Sequence, residues 1–111
     1  MIKLFISQPM KDKTDEEVKE VRERAVRVVK DFMKDEKVEV IDNMFERTPK
    51  DVPPAWYLGM SIQLLSGADV AYFCDGWSLY RGCQIEHLVC KKYNIPTLSF
   101  EDLIRERCID D

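Results

Sequence analysis

The sequence predicts a single-domain α/β fold with a short parallel sheet, and three observations carry this. Short apolar runs recur at 2–6, 38–41, 69–74 and 96–100, and helical patterns separate them in alternation. The third run, Asp69-Val70-Ala71-Tyr72-Phe73-Cys74, is almost continuously apolar, as in a strand covered on both faces. At 111 residues and 45% hydrophobic, the chain has material for one core and not for two.

Each element follows from its own residues. Ile2-Lys3-Leu4-Phe5-Ile6 reads as a buried strand, and Ser7 to Lys13 is a loop broken by Pro9. Thr14 with Glu17 has the S/T-x-x-E form of a capping box, which satisfies free donors where a helix begins. Val18, Val21, Ala25, Val28, Val29 and Phe32 then mark an amphipathic stripe to about residue 35. Val38-Glu39-Val40-Ile41 is the second strand. The polar stretch 42–53, with Asn43, Pro49 and Pro53, is a candidate binding loop.

Pro54 suits the first turn of a helix, and Trp56, Tyr57, Met60, Ile62, Leu64 and Leu65 make that helix apolar on more than one side. Such a helix packs on a sheet and also on a second subunit, so a homo-oligomer is expected. Gly67 is its expected C-cap. After the third strand, Asp75 to Gly82 is a turn-rich loop. A helix follows from about Gly82 to Tyr93, with Ile85, Leu88 and Val89 turned inward and Asn94 ending it. Pro96 to Phe100 is the fourth strand, and a short final helix carries Leu103 and Ile104.

Strict alternation implies parallel strands joined by right-handed crossovers. With four strands the expected order is 2-1-3-4, a shortened flavodoxin-like or Rossmann-like three-layer sandwich. Ligands of such sheets bind beyond the strand carboxyl ends at the switch point, here between the first and third strands. The loops Ser7–Lys13 and Asp75–Gly82 are therefore the ones that matter.

The totals exclude several classes. With 17 Lys and Arg against 21 Asp and Glu, the charge of −4 argues against a nucleic-acid polymer as partner. No apolar run approaches the roughly 20 residues that span a bilayer. The opening Met1–Ile6 is too short for a signal peptide, and Gln8-Pro9 follows without a cleavage pattern. Cys74, Cys83, Cys90 and Cys108 form no CxxC, and one histidine does not complete a usual zinc set. They read as buried reduced thiols, and a cytoplasmic protein with no metal site is expected.

At the switch point, Glu86 is placed near the start of its helix, where free amides favour a negative charge. A carboxylate held ionised there acts as a nucleophile or stabilises a developing cation; an ordinary helix acid is the alternative. Asp75 directly follows the third strand and serves either as a proton carrier or as an Asx-turn residue. Trp77 stacks on a base or packs as a lid. Ser7, Gln8, Ser78 and Arg81 are donors for a phosphate or a base edge. His87 adjoins Glu86 but points about 100° away on the helix and reads as structural. Cys83 opens the same helix with no base in view, so thiol catalysis is not chosen.

Together these residues resemble the nucleoside 2-deoxyribosyltransferase superfamily, and most nearly a compact, largely uncharacterised branch. The matching pieces are Leu4-Phe5-Ile6-Ser7-Gln8-Pro9-Met10, Ala68 through Trp77, Arg81-Gly82-Cys83-Gln84-Ile85-Glu86-His87, and Ile95-Pro96-Thr97. The resemblance implies cleavage of the N-glycosidic bond of a 2-deoxynucleoside or its 5′-monophosphate, by hydrolysis or by transfer to a second base. It implies Glu86 as the nucleophile and Asp75 as the acid that contacts the base. Ser7, Gln8, Pro9 and Met10 would line the site together with Gly76, Trp77, Ser78, Arg81 and Gly82. It implies no metal or organic cofactor. Two positions depart from the pattern: Gln84 where some members have glycine, and Tyr80 where the better-known members have Asp or Ser. Two other classes stand beside the enzyme: a non-catalytic nucleotide-binding module of the same fold, and an interaction protein that docks a partner on Trp56–Leu65.

Overall fold

The computed structural model describes residues 1–34, 37–43 and 51–104. Cys108 and residues 44–50 of the candidate loop lie outside this range. The order is β1 (Ile2–Ser7), α1 (Asp15–Met33), β2 (Val38–Val40), α2 (Pro54–Leu65), β3 (Val70–Phe73), α3 (Arg81–Lys92) and β4 (Thr97–Ser99). A 3-10 turn occupies Trp77–Leu79, and residues 100–104 are helical. All pairings are parallel and the strand order is β2-β1-β3-β4, as the alternation predicts.

The two-residue period of the strands divides the core. Leu4 and Ile6 of β1 and Val70 and Tyr72 of β3 face α1, where Ala25 and Val29 meet them. Phe5, Ala71 and Phe73 face the other way, onto Leu65 of α2 and Cys90 of α3. The sheet is therefore the middle of three layers. By the same alternation Ser7, last residue of β1, falls on the α2–α3 side.

The helix ends are chemically explicit. Thr14 Oγ1 accepts from the Glu17 amide at 3.1 Å, and the Glu17 carboxylate returns to the Thr14 amide, completing the capping box. Lys34 closes α1 in the left-handed region at φ 54°. Asn94 takes the same conformation after α3 at φ 59°. Helix α2 ends at Ser66, not at Gly67; Ser66 remains right-handed and its hydroxyl donates to the Gln63 carbonyl at 2.6 Å. No left-handed residue is needed there, so glycine is not the cap.

The inward face of α3 differs from the sequence expectation. Ile85 and Leu88 are 38% and 54% exposed, and only Val89 of the expected trio packs on the core. The buried residues are Cys83, Glu86 and Cys90. Both triplets keep helical spacing, so periodicity alone did not choose between them. The hydroxyl groups awaiting Glu86 inside are what make its inward phase tolerable. On α1, Phe32 is 40% exposed and leaves the stripe before the helix ends.

Candidate active site

The site begins with a buried carboxylate. Glu86 is 7% exposed, and Ser7 Oγ donates to its Oε1 at 2.7 Å. This contact joins the end of β1 to the second turn of α3, so the macrodipole of α3, strongest in its first turn, contributes less than the hydroxyl. Burial pushes the Glu86 carboxyl above its ordinary pKa, and hydrogen bonds from Ser7 and from Ser61 of α2 pull it back. Burial also pushes the Cys83 thiol above its ordinary pKa, and the neighbouring Ser7 hydroxyl pulls it the other way.

Glu86 opens onto a hollow of about 940 Å³ between α2, α3 and the loop after β1. Pro9, Met10, Gly82, Tyr57, Leu58 and Tyr80 contribute to its walls, and Arg81 and Glu86 are its charged lining residues. That is a mostly apolar cleft with a few convergent polar groups, as small-molecule sites commonly are.

Asp75 stands elsewhere. It is exposed and lines a neighbouring hollow of about 700 Å³ on the α1 side, with Gly76, Tyr72, Lys13 and Arg24. The two carboxylates do not converge in one cavity. Gln8, Pro9 and Tyr80 line both hollows and form the wall between them.

Gln8 is buried, and both ends of its amide are engaged. Nε2 donates to the Val18 carbonyl at 3.2 Å, and Oε1 accepts from Arg22 Nη1 at 3.1 Å. It anchors the loop to α1, which is a different task from the free donor the sequence suggested. Gly76 sits at φ 85°, the left-handed conformation its turn demands.

Trp77 and Ser78 line neither hollow. The Trp77 ring stacks on His87 with centroids 4.3 Å apart, and its Nε1 donates to Glu101 Oε2 at 3.0 Å. Phe73 meets His87 edge-on at 4.9 Å. Base stacking on Trp77 is thus replaced by a structural cluster, whose burial lowers the His87 pKa. The Ser78 carbonyl accepts from the Gln84 side chain.

No family model, curated protein or solved structure matches the chain. Among the described residues no group of three His, Cys, Asp or Glu is placed to hold a metal ion, and no helix is long and apolar enough to cross a membrane. Arg22 and Ser61 are the site residues that the sequence reading missed. Each lies in helical phase with its buried stripe, Arg22 between Val18, Ala25 and Val29, and Ser61 four residues before Leu65. A polar residue on an apolar stripe is the signal that marks them.

Proposed function

We propose that this protein cleaves the N-glycosidic bond of a 2-deoxynucleoside or its 5′-monophosphate, with Glu86 as nucleophile. The observation that carries the reading is the 2.7 Å hydrogen bond from Ser7 to a buried Glu86 at the mouth of an apolar hollow. The hydroxyl aims one carboxylate oxygen and leaves the other for an anomeric carbon. Attack forms a glycosyl ester as the C–N bond breaks, and the bonding pair leaves with the base, which takes up a proton. Water then hydrolyses the ester, or a second base displaces Glu86. A ligand laid across Gln8, Pro9 and Tyr80 has its sugar at Glu86 and its base toward Asp75, the proton donor in this reading. Arg81 is the cation available to a 5′-phosphate.

The separation of Asp75 from Glu86 favours a second reading, a nucleotide-binding module without turnover. Incubation with a panel of deoxynucleosides and their monophosphates, following free base by chromatography, separates the two. Base release by the parent and none by Glu86→Gln supports the enzyme. Saturable binding without release supports the module.

The proposal extends to a homo-oligomer, since Trp56, Ile85 and Leu88 leave apolar surface on α2 and α3 that is 36%, 38% and 54% exposed. Light scattering that finds only a 13.1 kDa species removes it. Among the described residues three buried free thiols, Cys74, Cys83 and Cys90, suit a reducing compartment such as the cytoplasm.

A further inference from the structure

We infer that the hollow on the α1 side takes a leaving base that carries an apolar substituent, with the Tyr72 hydroxyl as the donor that holds the base ring. The inference rests on the proposed base release and adds the class of base, and its test measures binding apart from turnover.

The hollow runs along a helix. Gln8, in the wall shared with the Glu86 hollow, donates to the Val18 carbonyl. Val18 therefore marks the end nearest the scissile bond. Val28 lines the same hollow ten residues further along α1. At about 1.5 Å of rise per residue the two lie about 15 Å apart along the helix axis. A flat base ring seated beside Val18 and Asp75 occupies only part of that length. The volume of about 700 Å³ agrees, since sites of roughly 300–1,000 Å³ enclose drug-sized molecules and not a bare ring alone.

Polarity changes along the same axis. Lys13 precedes α1, Glu17 lies in its first turn, and Asp75 follows β3, so these charges gather at the Val18 end. Arg24 is exposed and paired with Glu20 at 3.3 Å. Beyond them Val21 and Val28 of α1 face Phe100 and Leu103 across the hollow. A polar near end and an apolar far end suit a heteroaromatic ring with an apolar tail. Each CH₂ of that tail, once buried, tightens binding roughly fourfold.

Tyr72 supplies the polar contact. It is 4% exposed and lines this hollow. A buried hydroxyl is ordinarily hydrogen-bonded, yet among the described residues this one has no partner. Nor is it sealed in the core: the enclosed and unpartnered side-chain atom among the described residues is Asn43 Oδ1. The Tyr72 hydroxyl therefore opens onto the hollow, three residues before Asp75. A phenol has one proton to donate, and an acceptor on the base ring is the partner it lacks.

The test compares adenine with 6-butylaminopurine, which differ only in the apolar substituent, by titration calorimetry on the full chain. The butyl compound is expected to bind at least on the order of tenfold more tightly, a gain that a half-buried butyl chain supplies. Val28→Gln, at the far end, is expected to erase most of that advantage. Tyr72→Phe is expected to weaken both bases about two- to tenfold and to keep their ratio. Base release from 2′-deoxyadenosine and from its butylamino derivative is followed alongside, with the same preference expected in kcat/KM. Equal binding of the two bases overturns the inference, and so does an advantage that survives Val28→Gln. Base release without preference also overturns it and leaves the glycosidase reading standing. A binding preference that is lost in Val28→Gln, in a protein that releases no base, upholds the hollow as the site and removes the glycosidase reading instead. If Val28→Gln does not fold, Ile104→Gln, at a position 45% exposed on the same hollow, is titrated in its place and read in the same way.

Discussion

Glu86→Gln should make this protein more stable at neutral pH while ending the proposed base release. A carboxyl whose pKa is raised on folding holds its proton more tightly in the folded than in the unfolded chain. Its contribution is most favourable below the unfolded pKa and is lost as pH rises toward the raised folded value. At neutral pH the ionised Glu86, only 7% exposed, therefore counts against the fold. The size follows from two opposing quantities. Taking a carboxylate out of water costs several kcal/mol after relaxation. The hydrogen bond from Ser7 offsets about 1.5–3 kcal/mol of that, which leaves a cost on the order of 1 kcal/mol. Glutamine removes the charge and keeps an oxygen for Ser7, so at pH 7 a gain of about 1 kcal/mol, or roughly 4 °C in Tm, is expected. Calorimetry of both proteins from pH 4 to 8 should show the parent falling below the variant as pH rises. A variant less stable than the parent at pH 7, or with the same pH slope, refutes the argument.

Gly76→Ala should cost roughly 1 kcal/mol by denaturant unfolding, because φ is 85° there while the added Cβ would meet Pro9 only at an ordinary 3.8 Å. Gly82→Ala, with nothing within 4 Å and a helical backbone, should leave stability equal or slightly higher. Leu88→Ser, at a position 54% exposed, should change monomer stability by about 0.5 kcal/mol or less, whereas Leu65→Ala in the core should cost about 2–5 kcal/mol. Equal losses in the two would restore the phase of α3 that periodicity first suggested. Cys74 and Cys90, pushed up to about 12 and about 11, should resist iodoacetamide at pH 8 in the native protein and react on unfolding. Peptide mass spectrometry showing rapid native labelling of either would contradict their burial.

The strand order was legible because it depends on coarse alternation, which Leu4–Ile6 and Val70–Phe73 display without ambiguity. Thr14 with Glu17 was legible because a capping box is local. The site was legible at Ser7 and Glu86, where topology and pattern coincide. It was not legible where two side-chain sets compete for one helix face. Ile85, Leu88 and Val89 look more inward than Cys83, Glu86 and Cys90 until the hydroxyls that receive the glutamate are known. Of the two readings of Trp77, base stacking or packing, the structure shows packing: its partner, His87, lies ten residues on and is brought beneath the ring by the 3-10 turn at Trp77–Leu79 and the start of α3. Gln8 reads as a free amide until Arg22 and Val18 are seen to hold both of its ends.

The bond between Ser7 and Glu86 spans 79 positions of sequence. Its two ends meet only after β1 has found β3 across the intervening α1, β2 and α2. Pairings of such separation are slow to form, since loop closure must precede any gain from contact. A collapsed intermediate can contain all three helices and still have no aimed carboxylate. An aimed carboxylate in this chain therefore requires the completed β1–β3 pairing, and recovery of the Ser7–Glu86 pair during refolding would report the docking of the sheet.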